Sequence, residues 1–212
     1  MNLKIVFLPE KPIYVHLHYD ALVSAAYLGK ALKKEHKQIK SYQDRAAELY
    51  KNIDAYFARN VEGYDTYRYY DGNTVLRSWI CIPLTMGIYD QAKGTVEALF
   101  SDKLWMENGL LTQSGTSTYW DRSTLYAFRG AYSCGARDIA TEYLDKYSAT
   151  RLLGDHVPYA VEAWPEGNQR HLSTESALYC RIMTEGLFGI RPIALDAFMM
   201  TCLLYTSPSP RD

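Results

Sequence analysis

Apolar residues recur along this chain at helical rather than strand spacing. The clearest case is Ile39 to Arg59. There Tyr42, Ala46, Leu49, Ile53 and Tyr56 follow at alternating steps of four and three, which line one face of an α-helix. Asp20 to Lys34 repeats the pattern with Leu22, Ala25, Ala26 and Leu32. The basic segment KKEHKQIK between them reads as a solvated turn, so the two form a helical hairpin. Trp79 to Ile88 is an apolar helix carrying Pro83, a residue suited to a first turn or a kink. Asp90 to Phe100 turns Ala92, Val96, Leu99 and Phe100 inward. Asp121 or Ser123 caps a helix running through Cys134, with Leu125, Phe128 and Tyr132 inward, and Arg137 to Ala149 is its partner.

The polar stretches between these helices alternate in length. Asn60 to Asn73 is a polar, aromatic loop with room for a short strand pair, and Trp105 to Trp120 is rich in Gly, Ser and Thr. The long loops all precede the first helix of a pair, while links within pairs are short. Such alternation puts the long loops on one face of a closed helical array. Strands do not alternate with helices, which excludes a parallel α/β fold. The expected class is all-α, built from helical hairpins.

The stretch from Tyr159 to Pro192 combines both features. Its loop is crowded with Glu162, Trp164, Glu166, Asn168, Gln169, Arg170 and His171. A helix follows, with Ser173 as N-cap and Ser176 where a capping box would place Glu. Leu178, Cys180, Ile182, Met183, Leu187 and Phe188 make it apolar on most sides, which predicts burial. Gly189 fits a left-handed stop and Pro192 forbids continuation. A polar loop feeding a buried helix is a way for a helical scaffold to present a pocket.

Composition narrows the partners. With 212 residues the chain can build one sizeable core. Its net charge of -1 and pI near 6.5 argue against nucleic acid or an anionic membrane. No apolar run reaches the length of a membrane span. The patch Ile5 to Leu8 is too short for a signal-peptide core, so the compartment is not read. Cys81, Cys134, Cys180 and Cys202 are widely spaced, without a paired motif. The first three sit in apolar helical stretches and read as small buried hydrophobes. The 19 tyrosines are unusual, and many stand in polar loops beside carboxylates and amides. That mixture suits sugars, whose CH faces stack while their hydroxyls hydrogen-bond. His16 and His18 are a close pair, but no metal-ligand spacing accompanies them, so neither metal nor cofactor is expected. Phosphate-cradling loops, nucleophile elbows and dinucleotide fingerprints are absent.

The segments LRSWICIPLTMGI, LWMENGLLT, TYWDRSTLY and EAWPEG, the last leading to a buried helix ending in FGI, come in this order. Together they resemble the C-terminal half of the six-hairpin (α/α)6-toroid glycosidases. The motif order is most similar to processing α-glucosidases and trehalases. The matching positions are Pro83-Leu84, Gly109-Leu110, Tyr119-Trp120, and Glu162 to Trp164 with Gly167, over roughly Asp20 to Pro192. The resemblance implies an incomplete toroid of about seven helices. It also implies an inverting glycoside hydrolase acting on an oligosaccharide or glycoside. Where the family has Trp-Arg-Gly-Pro, this chain has Trp120-Asp121-Arg122-Ser123, which opens the question of substrate subclass. The family's general acid falls upstream of the match. The remainder of the domain is therefore the missing partner, and the present chain is expected to be inactive.

Inverting hydrolysis needs two carboxylates about 6.5–9.5 Å apart, one protonating the leaving oxygen and one activating water. Glu162 occupies the family's base position. On residues alone it can equally cap a turn or pair with Arg170, and Glu166 is the alternative base. Trp120 and Trp164 are candidate stacking platforms; Asp121, Arg122, Asn168, Arg170 and His171 are candidate sugar-binding groups. Two other readings stay open: a non-catalytic helical-hairpin module that binds carbohydrate or protein, and a toroid polysaccharide lyase. The last stretch, Cys202 to Asp212, resembles a translated sequencing adapter. It is set apart as an artefactual tail of a metagenomic-type fragment, leaving residues 1–201 as a partial catalytic domain.

Overall fold

The computed structural model describes residues 12–152 and 173–201, with side chains from 15–151 and 173–201. Helix α1 (Pro12–Ala31) and helix α2 (His36–Phe57) form the first hairpin. Ile39, Ala46, Leu49, Ile53 and Phe57 of α2 are buried. Gly29 on α1 lets the helices close, since a Cβ there would stand 3.1 Å from Ile39 Cγ1. Both helices begin earlier than the sequence spacing suggests, α1 at Pro12 rather than Asp20 and α2 at His36 rather than Ile39.

Strands β1 (Ala58–Val61) and β2 (Tyr64–Tyr67) form the antiparallel pair expected in the first loop. Their two-residue turn, Glu62-Gly63, has φ of 49° and 97°, the doubly left-handed geometry that matches strand twist. A 3₁₀ turn (Ser78–Ile80) leads into α3 (Cys81–Thr85), whose Pro83 lies in the first turn as its chemistry requires. Helix α4 (Ala92–Leu99) packs on β2. There a buried hydrogen bond of 2.7 Å links Thr66 and Thr95, and Gly94 leaves room for the Asp65 backbone.

A second hairpin, β3 (Trp105–Met106) with β4 (Gly109–Leu110), was not signalled by the sequence. Two-residue strands are too short for a period-two pattern. Helix α5 (Asp121–Ser133) and helix α6 (Arg137–Tyr147) follow, joined by a turn in which Gly135 has φ +87°. Trp120, not Asp121 or Ser123, is the N-cap of α5, and no side-chain cap bond forms there. The Ser123 and Thr124 hydroxyls instead donate back to the Trp120 carbonyl. α6 runs on into a wider π turn, Ser148–Leu152.

Helix α7 (Ser173–Arg181) likewise continues as a π turn, Ile182–Leu187, and Gly189 stops it at φ +66° as expected. A third hairpin, β5 (Ile190–Ala194) with β6 (Ala197–Met200), carries Pro192. The expectation that α7 is largely buried is only partly met. Glu175, Ile182 and Gly186 are buried, but Cys180 and Phe188 are exposed, and among the described residues no element covers that side. Cys81 is buried and Cys134 half-buried.

The odd helices form a row. α3 packs against α1 and α5, and α5 packs against α7; each of α2, α4 and α6 backs its own odd partner. This is the arrangement of a helical-hairpin toroid. α5 is at the centre of the described part. Gly130 brings it against α3, where a Cβ would lie 2.8 Å from Leu84 Cβ. An aromatic cluster of Phe100, Trp105, Phe128, Tyr143 and Tyr147 fills the space towards α6, with ring centroids 4.7–6.1 Å apart. Among the described residues no helix is long and apolar enough to cross a membrane.

Candidate functional site

The long loops meet at one end of the helix row. The Ser78 amide donates to the Thr112 carbonyl and the Ser114 amide to the Leu76 carbonyl, so the loops before α3 and α5 run side by side. Glu62, at the tip of the β1–β2 turn, locks them together. Its carboxylate accepts from the Leu76 amide at 2.7 Å, from Ser114 at 3.2 Å and from Lys103 at 3.4 Å. Burial pushes the Glu62 carboxyl up, but the Leu76 amide, Lys103 and Ser114 outweigh it and leave the group below its ordinary value. Glu62 thus serves the loops themselves.

Aromatic rings gather where these loops enter the helices. Trp79, in the turn before α3, meets Trp120, the N-cap of α5, edge to face at 4.9 Å, and Tyr126 lies 6.4 Å from Trp79. All three are partly exposed, and the buried Trp120 Nε1 has no hydrogen-bond partner. Arg77 lies over the rings of Tyr69 and Tyr70 at 4.9 and 6.0 Å. This collar of half-exposed rings is the surface on which sugar CH faces can stack.

Two ion pairs stand behind it. Asp121 opens α5 and receives a 2.8 Å bond from Arg151 Nη2, a residue of the π turn after α6. Both side chains are essentially inaccessible, at 1% and 0% exposure. As placed, the Asp121 carboxylate faces Arg151 inside the protein, beneath the collar. Tyr147 borders the pair; burial first, and the charge of Asp121 second, push its phenol well above the ordinary value. Arg122, one residue further along α5, turns the other way. Its Nε donates at 2.5 Å to Glu175 on α7, and Arg122 keeps about a third of its side chain in solvent.

Glu162, Trp164, Glu166, Asn168, Arg170 and His171 lie outside the described residues. In the sequence they fall between Arg151, which pairs with Asp121, and Glu175, which pairs with Arg122. Sequence reasoning missed Trp79, Tyr126, Arg151 and Glu175 as neighbours of the site. A signal for one of them, Tyr126, was present. Tyr126 and Arg129 follow Arg122 at helical steps of four and three, a polar and aromatic stripe on a helix otherwise apolar. Among the described residues no group of three His, Cys, Asp or Glu side chains is placed to hold a metal ion.

Solved structures similar to this chain include a sialidase and a trehalase. The sialidase superposes with a TM-score of 0.70 at 15% identity, over 86% of this chain and 20% of its own. Neutral trehalase Nth1 from Saccharomyces cerevisiae superposes with a TM-score of 0.61 at 17% identity, over 80% of this chain and 36% of its own. No sequence-family profile and no curated protein matches it. At such identities the likeness establishes the fold alone, a toroid of helical hairpins. The chain spans well under half the length of either structure.

Proposed function

We propose that the chain is part of the catalytic domain of an inverting glycoside hydrolase acting on an oligosaccharide or glycoside. The observation that carries this is the collar of Trp79, Trp120 and Tyr126, set at the helix starts where the long loops converge. The scaffold, shared with a sialidase and a trehalase, supports the same reading. In it Glu162 is the base that activates water, with Glu166 as the alternative. Trp120 and Trp164 stack a glycosyl ring. Arg122, Asn168, Arg170 and His171 hold its hydroxyls, and Asp121 acts from beneath by fixing Arg151. The general acid comes from helices upstream of those described.

The test is expression of the gene extended in both directions, a screen of aryl glycosides and oligosaccharides, and product anomers followed by NMR beside a Glu162→Gln variant. Removing a catalytic base is expected to lower turnover by about two to four orders of magnitude. Inverted product with that loss supports the assignment. Undiminished turnover moves the base to Glu166. A folded protein without hydrolysis of any glycan overturns the reading in favour of a binding module or a lyase.

A further inference from the structure

A cleft of about 250 Å³ runs between α5 and α7, lined by Arg122, Tyr126 and Arg129 from one helix and Glu175, Leu178 and Arg181 from the other. It is polarised along its length. Residues 122 and 129 are separated by about 10 Å of helix rise, as are 175 and 181 to within one residue. At one end Arg122 Nε pairs with Glu175 Oε1, while Glu175 Oε2 is buried and has no hydrogen-bond partner. At the other end Arg181 pairs with Glu185 at 2.6 Å. Arg129 stands beside them, and among the described residues no carboxylate lies within ion-pair distance of it.

Among the described residues Arg129 makes no ion pair, and Glu185 acts on it only from a distance. Burial first, and the adjacent Arg181 second, push its guanidinium down from the ordinary value, with Arg191 acting in the same sense and Glu185 against it. An arginine side chain stays protonated in a protein, so the strain is relieved by an anion rather than by loss of the proton. Between the two ends, Tyr126 and Leu178 offer an aromatic and an apolar wall.

We propose that this cleft binds a hydroxylated carboxylate, in the glycan reading a uronosyl residue. Its carboxylate sits on the fork of Arg129, and a ring hydroxyl donates to Glu175 Oε2. Carboxylates match the planar donors of arginine bidentately. The buried Glu175 oxygen is an acceptor only and demands a donor. A bare anion satisfies the first end and leaves the second unmet; a neutral hexose does the reverse. The identity of the sugar rests on the glycoside reading above, but binding does not depend on hydrolysis.

The experiment is calorimetric titration of the full chain with glucuronate, glucose and inorganic sulfate, repeated on Arg129→Gln and Glu175→Gln. Glucuronate is expected to bind at least roughly tenfold more tightly than glucose. Arg129→Gln should remove that preference, and Glu175→Gln should weaken both sugars. Equal affinities for glucuronate and glucose, or no binding of either, overturn the proposal. Sulfate binding as tightly as glucuronate, with Glu175→Gln without effect, overturns it in favour of a site that reads charge alone. Should Arg129→Gln fail to fold, the wild-type comparison of glucuronate with glucose still decides. Glucuronate binding by this chain, with no glycoside hydrolysis by the product of the extended gene, would remove the enzymatic reading and leave this one standing; hydrolysis by the extended product without glucuronate binding would do the opposite.

Discussion

Helices α5 and α7 open with the same chemistry and end in different situations. Each has a buried carboxylate in its first turn, Asp121 or Glu175, and each carboxylate is met by an arginine from another element. α5 lies between α3, α6 and α7, so nearly every side of it is covered and its ion pair is sealed. α7 packs on α5 and hydrogen-bonds the π turn after α6 through Tyr179 and Ser148, and its pair lines a cleft. The chemical type of a pair does not say whether it braces the fold or faces a ligand. The neighbours on the far side decide that.

The largest effect should come from the sealed pair. Asp121→Ala removes the carboxylate that the fully buried Arg151 faces. It is expected to cost about 3–5 kcal/mol, read as a fall in the urea midpoint. Replacing both partners by apolar residues, Asp121→Leu with Arg151→Met, should recover most of that loss, since the unmatched charge is what destabilises. On α7 the counterpart Glu175→Gln should change stability by less than about 1 kcal/mol, because water can take over the partly exposed Arg122. Equal losses at the two sites would break the comparison.

The glycines give a smaller contrast. A Cβ at Gly130 would meet Leu84 Cβ at 2.8 Å and the Cys81 carbonyl oxygen at 3.2 Å, groups fixed by the α3 backbone. Gly130→Ala should therefore cost about 1–3 kcal/mol in thermal or urea unfolding. At Gly186 a Cβ would stand 2.6 Å from Cδ2 of the buried Tyr132 ring, whose hydroxyl is held by Thr141, so Gly186→Ala should lose a comparable amount. A clearly smaller loss at Gly186 would mean that α7 is held less rigidly than α5.

The smallest effect concerns a third carboxylate, Glu62, which is only partly buried. Its pKa is lower folded than unfolded. The stability it contributes is therefore present above the ordinary glutamate value and is lost as pH falls through the folded value. The protection factor of the Leu76 amide, relative to its intrinsic exchange rate at each pH, should fall on acidification through that range, while that of amides in the middle of α5 stays unchanged. Unaltered protection at Leu76 would remove Glu62 as the clamp of the two loops.

Much of the scaffold was legible because it depends on local periodicity. Ile39, Ala46, Leu49 and Ile53 recur on one face, and the helix they predict is there. Gly189 and Pro83 adopt the roles that their backbone limits allow. Other features were illegible for equally physical reasons. The β3–β4 pair is too short to carry a pattern. The exposure of Cys180 and Phe188 depends on which elements surround α7, and apolar composition alone does not report that. Asp121 reads as a cap or a sugar-binding group until Arg151, 30 residues away, is seen against it.

By itself, then, the sequence determined the helices, their pairing into hairpins and the alternation of long loops, because these follow from residue spacing and chain connectivity. It also marked Trp120, Asp121 and Arg122 as a special helix start. Only the tertiary structure decided that the loops before α3 and α5 are tied together through Glu62. It alone set Asp121 inward and Arg122 outward, and left Arg129 in a cleft where, among the described residues, no carboxylate pairs with it. Those outcomes depend on the approach of residues distant in the chain, and no local pattern encodes that distance.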